Sequence, residues 1–311
     1  MAVYDINGNI VCGKEYTPHT DAECTNAFLA YMAEKCALFG MTGTHYENPS
    51  GLTMDSYSTP RDAMKLGTVY AANTKALEIW ATPDRDFSIK GENARTLSVT
   101  NNVLNGVGAH LDSNGYNFLG GKGGSLTSSG YQRAGIHLVE IKEKPVLLSL
   151  MVTGQTAYNN INACYKELCD MVKASMEGST PTPGANLSAA VSAGGGYATC
   201  ILPQNVGAYQ TQETPAELLA RENSLSASPT QQRTPASTTK AMTTLCSLDY
   251  MPDPYEEITV KTVDISSGSG STFYDGDRLA YFDAVRIMMM ESSNTLANTI
   301  ARTVGFKILN S

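Results

Sequence analysis

Two apolar runs separated by a three-residue turn constrain this chain more than any other feature of its sequence. Residues 135–141 read GIHLVEI and residues 145–152 read PVLLSLMV, with Lys142-Glu-Lys144 between them. Both runs are rich in large aliphatic side chains, and a connection this short joins antiparallel strands. The longer run has about eight residues, far fewer than the roughly 18 that a membrane span needs. The pair therefore predicts an antiparallel hairpin in the core of a folded domain.

Helical periodicity surrounds this hairpin on both sides. Apolar residues recur at helical spacing over residues 25–39, 157–176, 282–290 and 294–303, and a capped start predicts a further helix over 58–72. The sequence therefore predicts a mixed α/β chain, and its 311 residues suffice for a sizeable core.

Charge, histidine and cysteine usage exclude several classes of function. Lys and Arg number 22 against 30 Asp and Glu, and the net charge of −8 argues against binding to nucleic acid or an anionic membrane. The four histidines and seven cysteines show neither H-x-x-x-H nor C-x-x-C spacing, so we expect buried thiols, at most one disulfide, and no metal or cofactor. Residues 1–20 lack the basic start and apolar run of a signal peptide, and Asn7-Gly8 indicates a hairpin turn there.

One stretch differs in composition from the rest of the chain. Residues 177–196 read EGSTPTPGANLSAAVSAGGG. Pro, Gly, Ser and Ala bury little apolar surface, so this composition predicts a linker. After it, residues 197–203 predict a strand, and residues 217–221 predict a strand or a short helix.

A serine and a lysine one helical turn apart are the first sign of chemistry. Ser237-Thr-Thr-Lys240 follows Pro235 and opens a helix that we expect to reach Met251. The i, i+3 spacing places both side chains on one face, and a lysine desolvated beside a helix N-terminus can lose its proton and act as a base. An S-x-x-K spacing occurs about once by chance in a chain of this length, so it needs support elsewhere.

Support comes 55 residues later, at the junction of two apolar helices. Ser292-Ser293-Asn294 puts a hydroxyl and an amide two positions apart at a helix start, where both can point into a cleft. There the hydroxyl can relay a proton and the amide can hold a substrate carbonyl, although such residues also serve as simple N-caps.

These segments together resemble a known family. PASTTKAMTTLCSLDYM (235–251) and GSGSTFYDGDRLAYFDAVRIMMMESSNTLANTIA (268–301) resemble the first half of the serine D-alanyl-D-alanine carboxypeptidases, the low-molecular-weight penicillin-binding proteins. Residues 25–52 resemble the family segment after the Ser-x-Asn helix, and residues 120–154 resemble its lysine strand and the hairpin that follows. The order is rotated, with 177–196 joining the old ends, so the resemblance implies a circular permutation.

The resemblance also implies a fold, an α/β (α+β) architecture of the β-lactamase and penicillin-binding-protein transpeptidase type. That fold has a five-stranded antiparallel sheet flanked by helices, plus a helical region, and the active site lies in the cleft between them. In the rotated order the sheet region would span 116–229, including the linker 177–196, and the helical region would be divided between 1–115 and 230–311.

By the same resemblance, Ser237 attacks the carbonyl carbon of a D-Ala-D-Ala peptide bond, with Lys240 as general base. Ser292 and Lys122 would pass a proton to the leaving amine, and Asn294 would orient the substrate. Water would then hydrolyse the acyl-enzyme, with peptidoglycan stem peptides as substrates and β-lactams as ligands. No cofactor, nucleic acid or transmembrane segment is expected, and the oligomeric state stays open.

One position departs from the family's Lys-Thr-Gly pattern. Lys122-Gly123-Gly124 has glycine where the family has a Thr or Ser whose hydroxyl binds the terminal carboxylate of the substrate. Lys122 keeps its positive charge, and the flanking glycines let the strand approach a ligand closely. We expect Ser125 or Thr127 to supply the lost hydroxyl, and the backbone N–H groups of Ser125 and of the nucleophile to form the oxyanion hole.

Two other functions stay open at this stage. The same scaffold serves β-lactamases and esterases, but we identify no deacylating carboxylate in the sequence. A degenerate relative would bind peptidoglycan peptides or a partner protein without catalysis, which Gly123 and the missing signal peptide favour. The family acts outside the cytoplasmic membrane, whereas a chain that starts at Met1 without a signal peptide would stay in the cytoplasm. We expect structural roles for His45 and Asn48. Arg133 is near the lysine strand, and we expect a surface charge there, the alternative being that it assists an anionic substrate.

Overall fold

Helices and strands alternate along the chain in the computed structural model, which describes residues 16–127, 130–202 and 225–311. The helices are α1 (Asp21–Leu38), α2 (Pro60–Ala71), α3 (Thr74–Trp80), α4 (Ala109–Ser113), α5 (Gln155–Asn159), α6 (Ile161–Met176), α7 (Ala185–Ser192), α8 (Thr239–Leu248), α9 (Tyr281–Met290) and α10 (Asn294–Leu309). The strands are β1 (Arg85–Ile89), β2 (Arg95–Val99), β3 (Asn117–Leu126), β4 (Gln132–Ile141), β5 (Lys144–Val152), β6 (Gly196–Ile201), β7 (Ser226–Ala227), β8 (Glu257–Thr259) and β9 (Arg278–Ala280). A π-helical turn covers Leu104–Gly108, and 3₁₀ turns cover Ala236–Thr238 and Thr262–Asp264.

One antiparallel sheet of five strands lies at the centre, in the order β3-β4-β5-β6-β7. The hairpin predicted from the two apolar runs is β4–β5, with Ile141 opposite Lys144. Lys142 and Glu143 at its turn have φ angles of 51° and 60°, the left-handed values that tight two-residue hairpin turns need. The expectation of a five-stranded antiparallel sheet flanked by helices is confirmed.

Alternation along the strands gives the sheet two apolar faces with separate cores. Ile136 and Leu147 point to the near face, which packs against α2 and shares its core with α1, α8, α9 and α10. Val139 and Leu148 point to the far face, whose core includes residues of α6 and α7. β3 is the edge strand next to β4, and it contacts the 3₁₀ turn that contains Ser237.

The near-face helices come from both ends of the chain. α1 packs along α10, and a capping box between Thr20 and Glu23 starts it at Asp21, earlier than the apolar periodicity indicates. The helix predicted over 58–72 is α2, with Thr59 as its N-cap. Segments distant in sequence therefore share one core beside the edge strand β3.

The segment 177–196 corrects the sequence prediction. Residues 185–192 form α7, and Gly196 begins β6. Leu187 and Ala190 lie three positions apart and are fully buried in the far-face core. The linker prediction is wrong for residues 185–196, because apolar side chains one helical turn apart seat a helix even when its other residues are small or polar.

Smaller differences concern element boundaries. The helix predicted over 157–176 is divided at Asn160 into α5 and α6, and α10 continues to Leu309. The hairpin expected at Asn7-Gly8 and the element expected over 217–221 lie outside the described residues. The cysteines in the described part of the chain are free and buried: Cys24, Cys36, Cys164, Cys169, Cys200 and Cys246. Among the described residues, we find no helix with the length and hydropathy needed to cross a membrane.

Candidate active site

Ser237 lies in the 3₁₀ turn that leads into α8, and it is the partly exposed residue of an otherwise buried turn. Ala236 before it has a φ of 47°, an uncommon left-handed conformation for a residue with a side chain. Strain of this kind costs about 1–3 kcal/mol and clusters at functional sites. The turn presents the Ser237 side chain to a cavity.

Lys240 lies one helical turn further on, fully buried, with its Nζ among three oxygen atoms. Nζ is 2.9 Å from Ser237 Oγ, 2.8 Å from Asn294 Oδ1 and 2.6 Å from the backbone oxygen of Ser50. Burial lowers the pKa of Lys240 well below its usual value, and the charge of Lys122 lowers it further. A neutral amine can donate to the two carbonyl oxygens and turn its lone pair to the Ser237 hydroxyl. That is the geometry required of a general base.

The Asn294 amide is held in one orientation by the loop that precedes β9. Its Nδ2 donates to the backbone oxygen of Ser267 at 3.0 Å, which leaves Oδ1 directed at Lys240. Ser293 is the N-cap of α10, where its Oγ accepts from the Leu296 N–H at 3.3 Å. Ser292 before it has a φ of 66°, so a left-handed residue opens this motif, just as the left-handed Ala236 directly precedes the other.

The third oxygen around Lys240 comes from a turn that sequence reasoning did not connect with the site. Asn48 Oδ1 accepts from the N–H groups of Ser50 and Gly51, at 3.1 and 2.7 Å, and so fixes the turn. Gly51 has a φ of 78°, and a Cβ built there would lie 1.9 Å from the Ala236 backbone oxygen. The turn therefore packs tightly against the segment that holds Ser237. Asn48 has the structural role expected of it, because it fixes the turn whose Ser50 carbonyl contacts Lys240.

Lys122 reaches the same region from the middle of β3, with only 1% of its surface exposed. Its Nζ donates to Ser292 Oγ at 3.1 Å and to the Gly123 backbone oxygen at 2.6 Å. Burial lowers the pKa of Lys122 to about 7. Its charged and neutral forms are therefore similarly populated at neutral pH, which suits a group that both gives and takes a proton.

The two glycines after Lys122 differ in what surrounds them. A Cβ built on Gly124 would lie 2.5 Å from the backbone nitrogen of Ser237, so only glycine lets β3 lie this close to the nucleophile. A Cβ built on Gly123 would meet no atom within 4 Å, and its φ lies outside the left-handed region. Gly124 is therefore a packing requirement, whereas Gly123 leaves open space.

Most of the predicted site residues line one cavity of about 300 Å³. Its lining includes Lys122, Gly123, Gly124, Ser125, Ser237 and Ser292. Lys240 and Asn294 lie behind Ser237 and reach it through the contacts given above. The structure thus brings the sheet and helical motifs together, although Lys122 and Ser237 are 115 positions apart.

Two neighbouring residues lie differently with respect to the cavity from what the sequence favours. Thr127 is exposed beyond the end of β3 and is not part of the cavity lining, because pairing with β4 stops at Leu126. Arg133 is a cavity residue rather than an ordinary surface charge, since the β3–β4 register puts it opposite Ser125. Its guanidinium lies 4.4 Å from the centre of the Tyr158 ring.

The described residues bring few carboxylates to this cavity. Glu291 is the one acidic residue among the described residues that line the cavity, and its two oxygens accept from the Ser271 N–H and Oγ at 2.7 and 2.6 Å. No group of three or more His, Cys, Asp or Glu side chains that could hold a metal ion is found within the described ranges. The groups gathered here are two hydroxyls, Ser237 and Ser292, the buried amines of Lys122 and Lys240, and the Asn294 amide.

We found no protein-family model, curated protein or solved structure that matches this chain. The interpretation of the site therefore rests on its own geometry.

Proposed function

We propose that the chain is a serine-type D-Ala-D-Ala carboxypeptidase that cleaves peptidoglycan stem peptides through an acyl-enzyme at Ser237. In this proposal the chain has the penicillin-binding-protein transpeptidase fold in circularly permuted order. The observation that carries it is the contact between Ser237 Oγ and the buried amine of Lys240, beside a second pair, Lys122 and Ser292, at the same cavity. A permuted order requires that segments so far apart in sequence meet at one cleft.

The acylation step follows from the positions of these groups. Lys240 takes the Ser237 proton as the Oγ–C bond forms, and the backbone N–H groups of Ser237 and Ser125 stabilise the oxyanion. The C–N bond then breaks as Ser292 protonates the leaving amine and Lys122 replaces the proton that Ser292 gave. Loss of the Lys122 charge removes one of the effects that hold the pKa of Lys240 down, so the two proton transfers favour each other.

Deacylation restores both lysines. The neutral Lys122 takes a proton from the attacking water, and the resulting hydroxide forms the new C–O bond. The ester bond to Ser237 breaks, and protonated Lys240 returns its proton to the serine oxygen. The net reaction is a peptide and water giving a shortened peptide and D-alanine, with every protein group back in its first state.

The β-lactamase or esterase alternative needs a carboxylate free to activate a deacylating water. Glu291 is the one acid among the described residues that line the cavity, but both of its oxygens accept hydrogen bonds from Ser271. This arrangement favours a long-lived acyl-enzyme with β-lactams and therefore supports the carboxypeptidase. Slow nitrocefin turnover is the expected result, and fast turnover would favour the β-lactamase.

Covalent labelling with a fluorescent penicillin tests the proposal. The wild-type chain should be labelled, and Ser237→Ala should not be. Ser179→Ala, an exposed serine outside the cavity, is the matched control and should label like wild type. Release of D-alanine from diacetyl-L-Lys-D-Ala-D-Ala should follow the same pattern. A folded wild-type chain that neither labels nor releases D-alanine would contradict the enzyme and favour the degenerate binding protein.

A further inference from the structure

The glycines of β3 and β4 leave room on the far face of the sheet, on the side opposite to Lys122. The register pairs Gly121 with His137 and Gly123 with Gly135, so these residues share one face. A Cβ on Gly121 would lie 2.4 Å from His137 Nδ1, and a Cβ on Gly135 would lie 2.2 Å from Tyr165 Oη. Glycine at these positions lets the His137 and Tyr165 side chains lie against the strands, while Gly123 faces open space.

His137 and Tyr165 are each at least 98% buried, and both line the same cavity as Ser237. His137 Nδ1 and Tyr165 Oη have no hydrogen-bond partner among the described residues. The two rings meet edge to face with their centroids 4.5 Å apart. Buried polar atoms are normally paired, and leaving one unpaired is costly, so both atoms are available to a ligand that enters the cavity. We call the space bounded by Gly123, His137 and Tyr165 the far-face chamber.

The far-face chamber belongs to the same cavity as Ser237 and Ser292. In the proposed reaction, Ser292 protonates the leaving amine, and Lys122 holds Ser292 from the residue just before Gly123. The Cα of the leaving residue is one bond beyond that amine, and its carboxylate is drawn to the Lys122 charge. Its side chain then has the open position at Gly123 before it.

We propose that the far-face chamber receives the side chain of the leaving residue and selects one that is larger than methyl and able to hydrogen-bond, such as that of D-asparagine. This inference rests on the proposed acyl transfer at Ser237. It makes D-alanine an accepted leaving residue but not the preferred one.

The protonation states of the two rings explain the preference for a side chain that hydrogen-bonds. Burial and the charge of Lys122 lower the pKa of His137 to about 3, so its ring is neutral at physiological pH. Burial raises the pKa of Tyr165, so its hydroxyl keeps its proton. A carboxamide can both donate to and accept from such a pair, whereas an aliphatic side chain would leave both polar atoms unpaired.

Hydrolysis of a matched substrate series tests the proposal. The substrates are diacetyl-L-Lys-D-Ala-D-X with D-Ala, D-Asn or D-Leu as the leaving residue X. We expect kcat/KM for D-Asn to exceed that for D-Ala by about tenfold, with D-Leu below D-Asn. D-Leu is the control for size, because it fills space without offering a hydrogen bond. Equal rates for D-Ala and D-Asn, or D-Leu matching D-Asn, would overturn the proposal.

Two variants separate recognition from a structural effect. Tyr165→Phe removes one hydroxyl and should bring the D-Asn to D-Ala ratio of kcat/KM close to one, whereas a merely structural loss would lower both rates and keep their ratio. Gly123→Val fills the open space and should bring the ratio below one.

Penicillin labelling keeps this result apart from the proposed function, because its leaving amine stays tethered in the ring and carries no free leaving residue. If the chain is labelled at Ser237 but shows no preference within the series, the chamber proposal fails and the proposed function stands. If the chain is neither labelled nor able to hydrolyse any substrate, both proposals fail.

Discussion

The two buried lysines of the site differ in how completely their surroundings are built. Lys240 has three oxygen atoms within 3 Å of its Nζ, and the Asn294 amide and the turn at Ser50 that supply two of them are fixed by further contacts. Lys122 has two oxygen atoms around its Nζ, and the open space at the next residue, Gly123, lies on the opposite face of β3. Both have lowered pKa values, because burial removes water from the charged form.

Under the proposed mechanism, this difference fits a different role for each lysine. A shell of three oxygens with one hydroxyl among them suits a base that serves a single serine. A smaller shell at the cavity wall, with a pKa of about 7, suits a group that exchanges protons with substrate and water. The charge of Lys122 also lowers the pKa of Lys240, so removal of Lys122 should raise the pKa of Lys240.

The largest effect should follow removal of the inner amine. Lys240→Met keeps the length of the side chain but removes the base, so the rate of penicillin acylation should fall roughly 10²–10⁴-fold. Lys122→Met should lower the same rate less, because Ser237 keeps its base. Stopped-flow labelling measures both rates, and thermal melting confirms that each variant is folded. Equal losses in the two variants would contradict the division of roles.

Lys122 should contribute to the pH dependence of the unfolding free energy. Its pKa is about 7 in the fold, below the ordinary lysine value. Between these values the unfolded chain holds a proton that the folded chain lacks, so this group makes wild-type stability rise with pH across that window.

Lys122→Met removes this dependence. From pH 7 to pH 10 the unfolding free energy of wild type should therefore gain roughly 3 kcal/mol relative to the variant. Urea denaturation across that range measures the difference. Lys75→Met, at an exposed position, is the matched control. A constant difference between wild type and Lys122→Met would show that Lys122 is charged throughout this range.

The sequence predicted those parts of the fold and site that depend on local pattern. Hydrophobic runs and turn residues located β4 and β5, and cap residues located α2. Motif spacing selected Ser237 and Lys240, because i, i+3 neighbours on a helix face the same way wherever the helix lies. Alanine-rich composition hid α7, since the burial of Leu187 depends on a partner surface that the composition of the segment does not show.

The remainder of the site depends on long-range pairing. The Ser50 carbonyl that contacts Lys240 is a backbone atom, which leaves no residue-type signal in the sequence. The far-face chamber depends on the register that sets Gly121 opposite His137, and one residue of slippage would turn these groups to the other face. Arg133 joined the cavity for the same reason, being opposite Ser125 in that register.

The smallest expected effect concerns the open space at Gly123. Threonine at position 123 fits, because the φ of Gly123 lies outside the left-handed region and a Cβ there meets no atom within 4 Å. Its hydroxyl would add a hydrogen bond to the terminal carboxylate of the substrate, worth about 1.5–3 kcal/mol. Gly123→Thr should therefore raise D-Ala-D-Ala turnover and penicillin acylation by roughly ten- to a hundredfold.

Gly123→Val is the matched control, since it has the same shape without the hydroxyl and should give no gain. If threonine also gives no gain, the carboxylate is bound elsewhere, and Ser125→Ala should then lower both rates. The sign of the threonine effect should also depend on the leaving residue. Turnover should rise for D-Ala, whose methyl group does not need the chamber, and fall for D-Asn, whose side chain would meet the new methyl group. A gain of equal size for both substrates would show that the side chain of the leaving residue does not occupy the space at Gly123.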